Sequence, residues 1–236
     1  MAAQHGGMRI QSRGAADAPT LVLIHGLSSS PRSWQRNVAA LGARRRLLIV
    51  ELFPADAGPR FSLTAAAGQL AALLAEERAP VAVVGHSLGG LIAMQLAADA
   101  PHLVDRLILV ATPATRSTQS VPTQLAAVAA SGTRTDLRSV AVVASTILTA
   151  NPLQLMAATT ATFRADLAAL ADRITMPCLL VWGARDAIVP LEVGARLQGA
   201  LAHATLAVVP DAGHQPQWDQ PDAFHAAILP FLDCLH

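Results

Sequence analysis

Val81-Ala82-Val83-Val84-Gly85-His86-Ser87-Leu88-Gly89-Gly90 joins an apolar, β-branched run to a Gly-x-Ser-x-Gly turn, and Pro101 closes the Ala/Leu-rich stretch that follows. A strand that turns sharply into a helix at this motif carries the serine hydroxyl clear of the sheet. Its flanking glycines let strand and helix approach without Cβ clashes. The helix then aims its N-terminus, with its partial positive charge, at the place where a developing oxyanion would sit. Gly-x-Ser-x-Gly alone occurs in ordinary surface turns. The strand before it and the helix after it single out Ser87 as a candidate nucleophile.

Similar apolar runs recur on both sides of this segment. They are Thr20 to Ile24, Leu47 to Val50, Leu107 to Val110, Leu179 to Trp182 and Leu206 to Val209. Continuous apolar runs, as opposed to alternating ones, suit parallel strands buried on both faces. Helical segments separate them: Ser30-Pro31 has the form of an N-cap with proline at the first helical position, and Thr64 opens an Ala/Leu-rich stretch to about Arg78. This alternation predicts an α/β protein with a doubly wound, mostly parallel sheet, in a single domain spanning residues 1–236. Between Thr112 and Ile174 the alternation stops, and three helical patterns start at about Pro122, Asp136 and Pro152. The expectation is a helical lid inserted at about residues 113–172.

A serine hydroxyl is a weak nucleophile at neutral pH and needs an oriented base. Of eight histidines, His214 stands in Pro210-Asp211-Ala212-Gly213-His214, directly after the last strand, at the sheet edge where α/β sites form. His225 falls within a helical pattern, His5 and His236 lie at the ends, and His102 and His203 have no motif around them. His25 and His86 read as loop-packing residues. The imidazole needs an acceptor on its second nitrogen. Asp186, just past the strand that ends at Gly183, is favoured over Asp211, which shares a short turn with His214 and reads as a turn former. Asp219 reads as a helix cap. The oxyanion donors are assigned to the N–H groups of Leu88, after the nucleophile, and Leu27, after the first clear strand. Both leucines are also candidates for shaping the substrate pocket.

With these residues in place, the chain resembles the α/β-hydrolase superfamily, in its branch of small carboxylesterases, from Thr20 to Leu232. Leu21 to Gly26 resembles the family's oxyanion strand, Gly85 to Gly90 its elbow, Ile174 to Asp186 its acid strand, and Gly213-His214-Gln215-Pro216 with Pro221 and Phe224 its histidine loop and last helix. The resemblance implies the α/β-hydrolase fold, a Ser87–Asp186–His214 triad and cleavage of carboxylic esters through an acyl-serine. The same residues would serve a thioester, a lactone or a carbon–carbon bond. A non-catalytic binding protein on this fold stays open as a reading from another class. The sequence departs from the family in the stretch Glu51 to Pro59, which lacks the usual glycine-rich Asp-x-x-Gly-x-Gly-x-Ser. It departs again before Thr20, where only Met8 to Ser12 is strand-like and an edge strand is expected to be missing.

Composition removes several other classes. Hydrophobic residues are 53% of the chain and charged residues 14%, which excludes a disordered chain, and a net charge of +1 is too small for nucleic-acid binding. There is no His-Glu-x-x-His, paired-Cys or Walker spacing, so neither a metal nor a cofactor is expected. The first seven residues lack the pattern of a signal peptide and no apolar run is long enough to span a bilayer, so a cytoplasmic protein acting on a small-molecule ester is expected. Arg116, Arg134, Arg138 and Arg164 are read as the solvated outer face of the lid, in preference to a dock for an acidic acyl carrier.

Overall fold

In the computed structural model, the described residues are 2–5, 7–27, 29–58, 60–77, 80–113, 145–165 and 168–234. Strands β1 (Ala2–His5), β2 (Met8–Arg13), β3 (Thr20–Ile24), β4 (Arg46–Glu51), β5 (Val81–His86), β6 (Val104–Val110), β7 (Cys178–Gly183) and β8 (Ala204–Val209) form one sheet. Their order is β1-β2-β4-β3-β5-β6-β7-β8. The six strands from β4 to β8 pair in parallel, while β1 and β2 are antiparallel additions on one edge.

The expected missing edge strand is therefore a correction. Strands β1 and β2 pair antiparallel with Gly7 between them at φ 99°, and β2 continues the sheet by pairing with β4. Ala-Ala-Gln-His carries none of the β-branched residues that mark a strand in sequence. Its strand character comes from main-chain pairing.

The helices are α1 (Val38–Gly42), α2 (Leu63–Leu74), α3 (Leu88–Asp99), α4 (Pro152–Arg164), α5 (Leu191–Ala200), α6 (Pro216–Asp219) and α7 (Pro221–Asp233). Ser62 caps α2 by accepting from Ala65 N–H at 3.1 Å, two residues ahead of the expected Thr64. At Ser30-Pro31 the chain forms one 3-10 turn, Pro31–Trp34, and Ser30 makes no side-chain cap. Asn151 caps α4 by accepting from Leu153 N–H and Gln154 N–H, so the Asn-Pro pair begins that helix.

Strand side chains divide by the two-residue pleat. Val22 and Ile24 enter one core with Leu91, Ile92 and Trp182, while Leu21 and Leu23 enter the opposite core with Trp34 and Phe224. Both faces of the central strands are thus covered, which is why their sequences read as unbroken apolar runs. Between β6 and β7, residues 145–149 are helical and α4 packs on α3, with Ala158 completely buried. The helical patterns expected from Pro122 and Asp136, apart from residues 145–149, lie outside the described residues, as do Arg116, Arg134 and Arg138.

Candidate active site

Ser87 sits between β5 and α3 at φ 52° and ψ −117°, a region that non-glycine residues seldom occupy. Such strain costs of order 1–3 kcal/mol and persists only where the surroundings hold it. Ser87 N–H donates to Val110 C=O at 2.8 Å, and Ser87 C=O accepts from Gly90 N–H at 2.9 Å. The turn also requires closely packed glycines. A Cβ on Gly85 would meet Gly89 O at 2.4 Å, and one on Gly89 would meet Ile24 O at the same distance.

His214 follows β8 and Asp186 follows β7, and the fold joins them: His214 Nδ1 lies 2.9 Å from Asp186 Oδ2. The other carboxylate oxygen accepts from Ile188 N–H and Val189 N–H, both at 2.9 Å. The completely buried Trp182 donates from Nε1 to Val189 C=O at 2.9 Å, stapling the same loop to the core. The Asp186 side chain has no exposed surface and that of His214 is 13% exposed, so the acid is fixed and only the base reaches the surface.

Asp211 is kept away from the imidazole. It occupies a left-handed turn at φ 59° and pairs with Arg185, both side chains being exposed. Asp219, expected as a helix cap, accepts from Gly213 N–H at 2.8 Å and ties the histidine loop to α6.

His25 proves more constrained than a loop-packing residue. Its Nε2 accepts from Leu52 N–H at 3.1 Å, which puts the ring proton on Nδ1, and Nδ1–H donates to Gly26 C=O at 2.8 Å. Burial lowers its pKa to about 4, so the ring is neutral near pH 7. Gly26 C=O and Leu27 N–H belong to one trans peptide, so holding the carbonyl toward His25 turns the Leu27 N–H away from it. Sequence reading missed this because the tautomer is set by Leu52, 27 residues downstream. Leu52 and Phe53 come from the stretch that departs from the family pattern, and Phe53 packs edge-on against His25 at 5.9 Å.

Leu88 opens α3, where first-turn N–H groups have no partner inside the helix. Its side chain has no exposed surface and packs in the core, while Leu27 is half-buried. Arg164 is exposed at the end of α4. A surface groove of about 640 Å³ runs between the start of α2 and α4, lined by Phe61, Leu63, Leu153, Met156 and Arg164 among others. Ser87, Asp186 and His214 do not border it. Among the described residues no cluster of His, Cys, Asp or Glu is arranged to hold a metal ion. No described helix is long and apolar enough to cross a membrane.

Comparison with known proteins gives the following likenesses. A family model described as "Alpha/beta hydrolase family" matches residues 21–227. A pimeloyl-[acyl-carrier protein] methyl ester esterase of Chromobacterium violaceum is 31% identical, over 91% of this chain and 94% of that protein. A 2-hydroxy-6-oxononadienedioate/2-hydroxy-6-oxononatrienedioate hydrolase of a Pseudomonas species is 27% identical, over 97% of this chain and 92% of its own. A thermophilic esterase from Thermogutta terrifontis superposes with a TM-score of 0.81 at 22% identity, over 95% of this chain and 93% of that one.

Proposed function

This chain belongs to the alpha/beta hydrolase family and is a hydrolase, and from that premise we propose that it is a serine esterase, with Ser87 as nucleophile, His214 as general base and Asp186 as the acid that orients the base. The observations that carry the reading are the buried Asp186 carboxylate against His214 Nδ1 at 2.9 Å and a serine held at a strained elbow on the same sheet. With Nδ1–H donating a hydrogen bond to the Asp186 carboxylate, the Nε2 lone pair of a neutral imidazole is free to act as base.

The reaction runs in two halves. Ser87 Oγ attacks the ester carbonyl as its proton passes to His214 Nε2, and the carbonyl oxygen becomes an oxyanion facing the N–H groups of Leu27 and Leu88. As the oxyanion collapses, the C–O bond to the alcohol breaks, and the imidazolium gives its proton to the departing alkoxide. Water then attacks the acyl-serine, passing a proton to Nε2, and the carboxylic acid leaves as Ser87 regains that proton. Each oxyanion donor contributes about 10²–10³ in rate in comparable sites.

Residues about 113–172, which include α4, form the lid of this reading. α4 packs on α3, the helix that Ser87 begins, and its position supports an apolar cover that excludes water and favours aliphatic acyl groups. The protein of this reading is cytoplasmic, needs no cofactor or metal, and acts on small-molecule esters.

The test is labelling with a fluorophosphonate, with hydrolysis of p-nitrophenyl esters and acyl-thioesters measured in parallel. Wild type should label and hydrolyse esters, and Ser87→Ala should do neither while keeping its fold. A wild-type protein that does not label would favour the binding-protein reading. Faster turnover of thioesters would replace the ester as substrate.

A further inference from the structure

His86 ends β5, immediately before Ser87, and is 3% exposed. Its Nε2 lies 2.8 Å from the main-chain oxygen of His214, 128 residues away in the chain. A carbonyl only accepts, so Nε2 must carry the proton. Burial, with the nearby His214 and His25 adding to it, lowers the His86 pKa to about 3, so the ring is neutral and Nδ1 keeps a lone pair. That Nδ1 has no hydrogen-bond partner among the described residues. It faces the Cβ side of Gly26, where an added Cβ would come within 2.8 Å of it and 3.1 Å of Ser87 Cβ. The ring is thus wedged between the Gly26 turn and the His214 loop, its centroid 5.0 Å from the His214 ring.

The sheet order gives this contact its significance. Ser87 rides on β5, whereas His214 follows β8 at the sheet edge, with β6 and β7 between them. Other ties of the His214 loop lead away from β5: His214 Nδ1 to Asp186, after β7, at 2.9 Å, Gly213 N–H to Asp219 at 2.8 Å, and Ala212 C=O to Arg185 N–H at 2.9 Å. The His86 bond joins the base's own peptide unit directly to the strand that carries the nucleophile.

We propose that His86 is a positioning residue for catalysis, whose Nε2–H holds the main chain of His214 in register with Ser87. This rests on the serine-esterase reading. The alternative is a ring that only fills space. Misplacing a reacting group by about 1 Å can cost about 10²-fold in rate, so loss of the tie should lower turnover without weakening substrate binding.

The test compares His86→Met, which fills much of the space without a donor, with His86→Gln, which keeps a neutral N–H donor at similar reach. For p-nitrophenyl acetate, His86→Met should lower kcat by about 10–100-fold with KM within about twofold, and His86→Gln should restore kcat to within about fivefold of wild type. The proposal is overturned if His86→Met keeps wild-type kcat, if only KM changes, or if His86→Gln is as impaired as His86→Met. Should His86→Met not fold, NMR of the ring nitrogens in isotopically labelled wild type decides. The Nε2–H tautomer at neutral pH supports the tie, and the Nδ1–H tautomer overturns it. Fluorophosphonate labelling of wild type separates the two ideas, since absence of labelling removes the esterase reading and leaves the tautomer result standing.

Discussion

Moderate acid should destabilise this protein by way of its buried histidines. His25 and His86 have native pKa values of about 4 and about 3, against 6.5 for an unperturbed histidine, chiefly because burial penalises the charged ring. The folded state therefore holds both rings neutral while the unfolded chain takes up protons below about pH 6.5. Stability is complete above that value and is lost as pH falls toward the native pKa values. Between about pH 7 and about pH 5, linkage gives a loss of about 2 kcal/mol per ring, or about 4 kcal/mol together, a large share of an ordinary domain's stability. Urea unfolding at both pH values, followed by fluorescence of the buried Trp34, Trp182 and Trp218, would read this directly. His86→Gln, which cannot charge, should lose about 2 kcal/mol less than wild type over the same interval. Equal pH-dependent losses in the two proteins would refute the reasoning.

Two further substitutions probe the site. Asp186→Asn should lower kcat by about 10⁴-fold, as in other triads, because the amide favours the wrong histidine tautomer. Asp211→Asn, at an exposed turn, should change it by less than about twofold. The reverse ranking in ester hydrolysis would mean that the wrong carboxylate has been assigned. Gly26→Ala should reduce activity by about 10²-fold or more, because its Cβ meets His86 and Ser87 and forces the Leu27 N–H out of place. Near-normal turnover in that variant would remove the Leu27 donor from the mechanism.

The parallel strands could be read from the sequence because burial on both faces leaves an unbroken apolar run, as in Leu21 to Ile24 and Leu179 to Trp182. The elbow was legible for a local reason, since its glycines, strand and helix adjoin one another in the chain. The closeness of Asp186 to His214 followed from placing both at the carboxyl ends of strands, and the structure brings them to 2.9 Å. Strand β1 was invisible because Ala2–His5 has no strand composition and is ordered by pairing with β2. The bonds of His25 and His86 were equally hidden, since each depends on a main-chain partner, Leu52 or His214, far away in sequence. A ring's tautomer leaves no mark on residue spacing.

The parallel sheet also bears on how such a chain can change over generations. Successive loops at one end of the strands carry Gly26 and Leu27 after β3, Leu52 after β4, Ser87 after β5, Asp186 after β7 and His214 after β8. The segment after β6, from Ala111 to Pro177, contains none of these groups, and it is much the longest of these connections in sequence. With this segment as the proposed lid, sequence drift there reshapes the cover over the substrate while the proposed reacting atoms keep their mutual geometry. Drift in any of the other loops disturbs the chemistry itself. Selection can therefore act on substrate choice and on reactivity through separate stretches of one gene, and the long segment after β6 is where relatives with different substrates should diverge most.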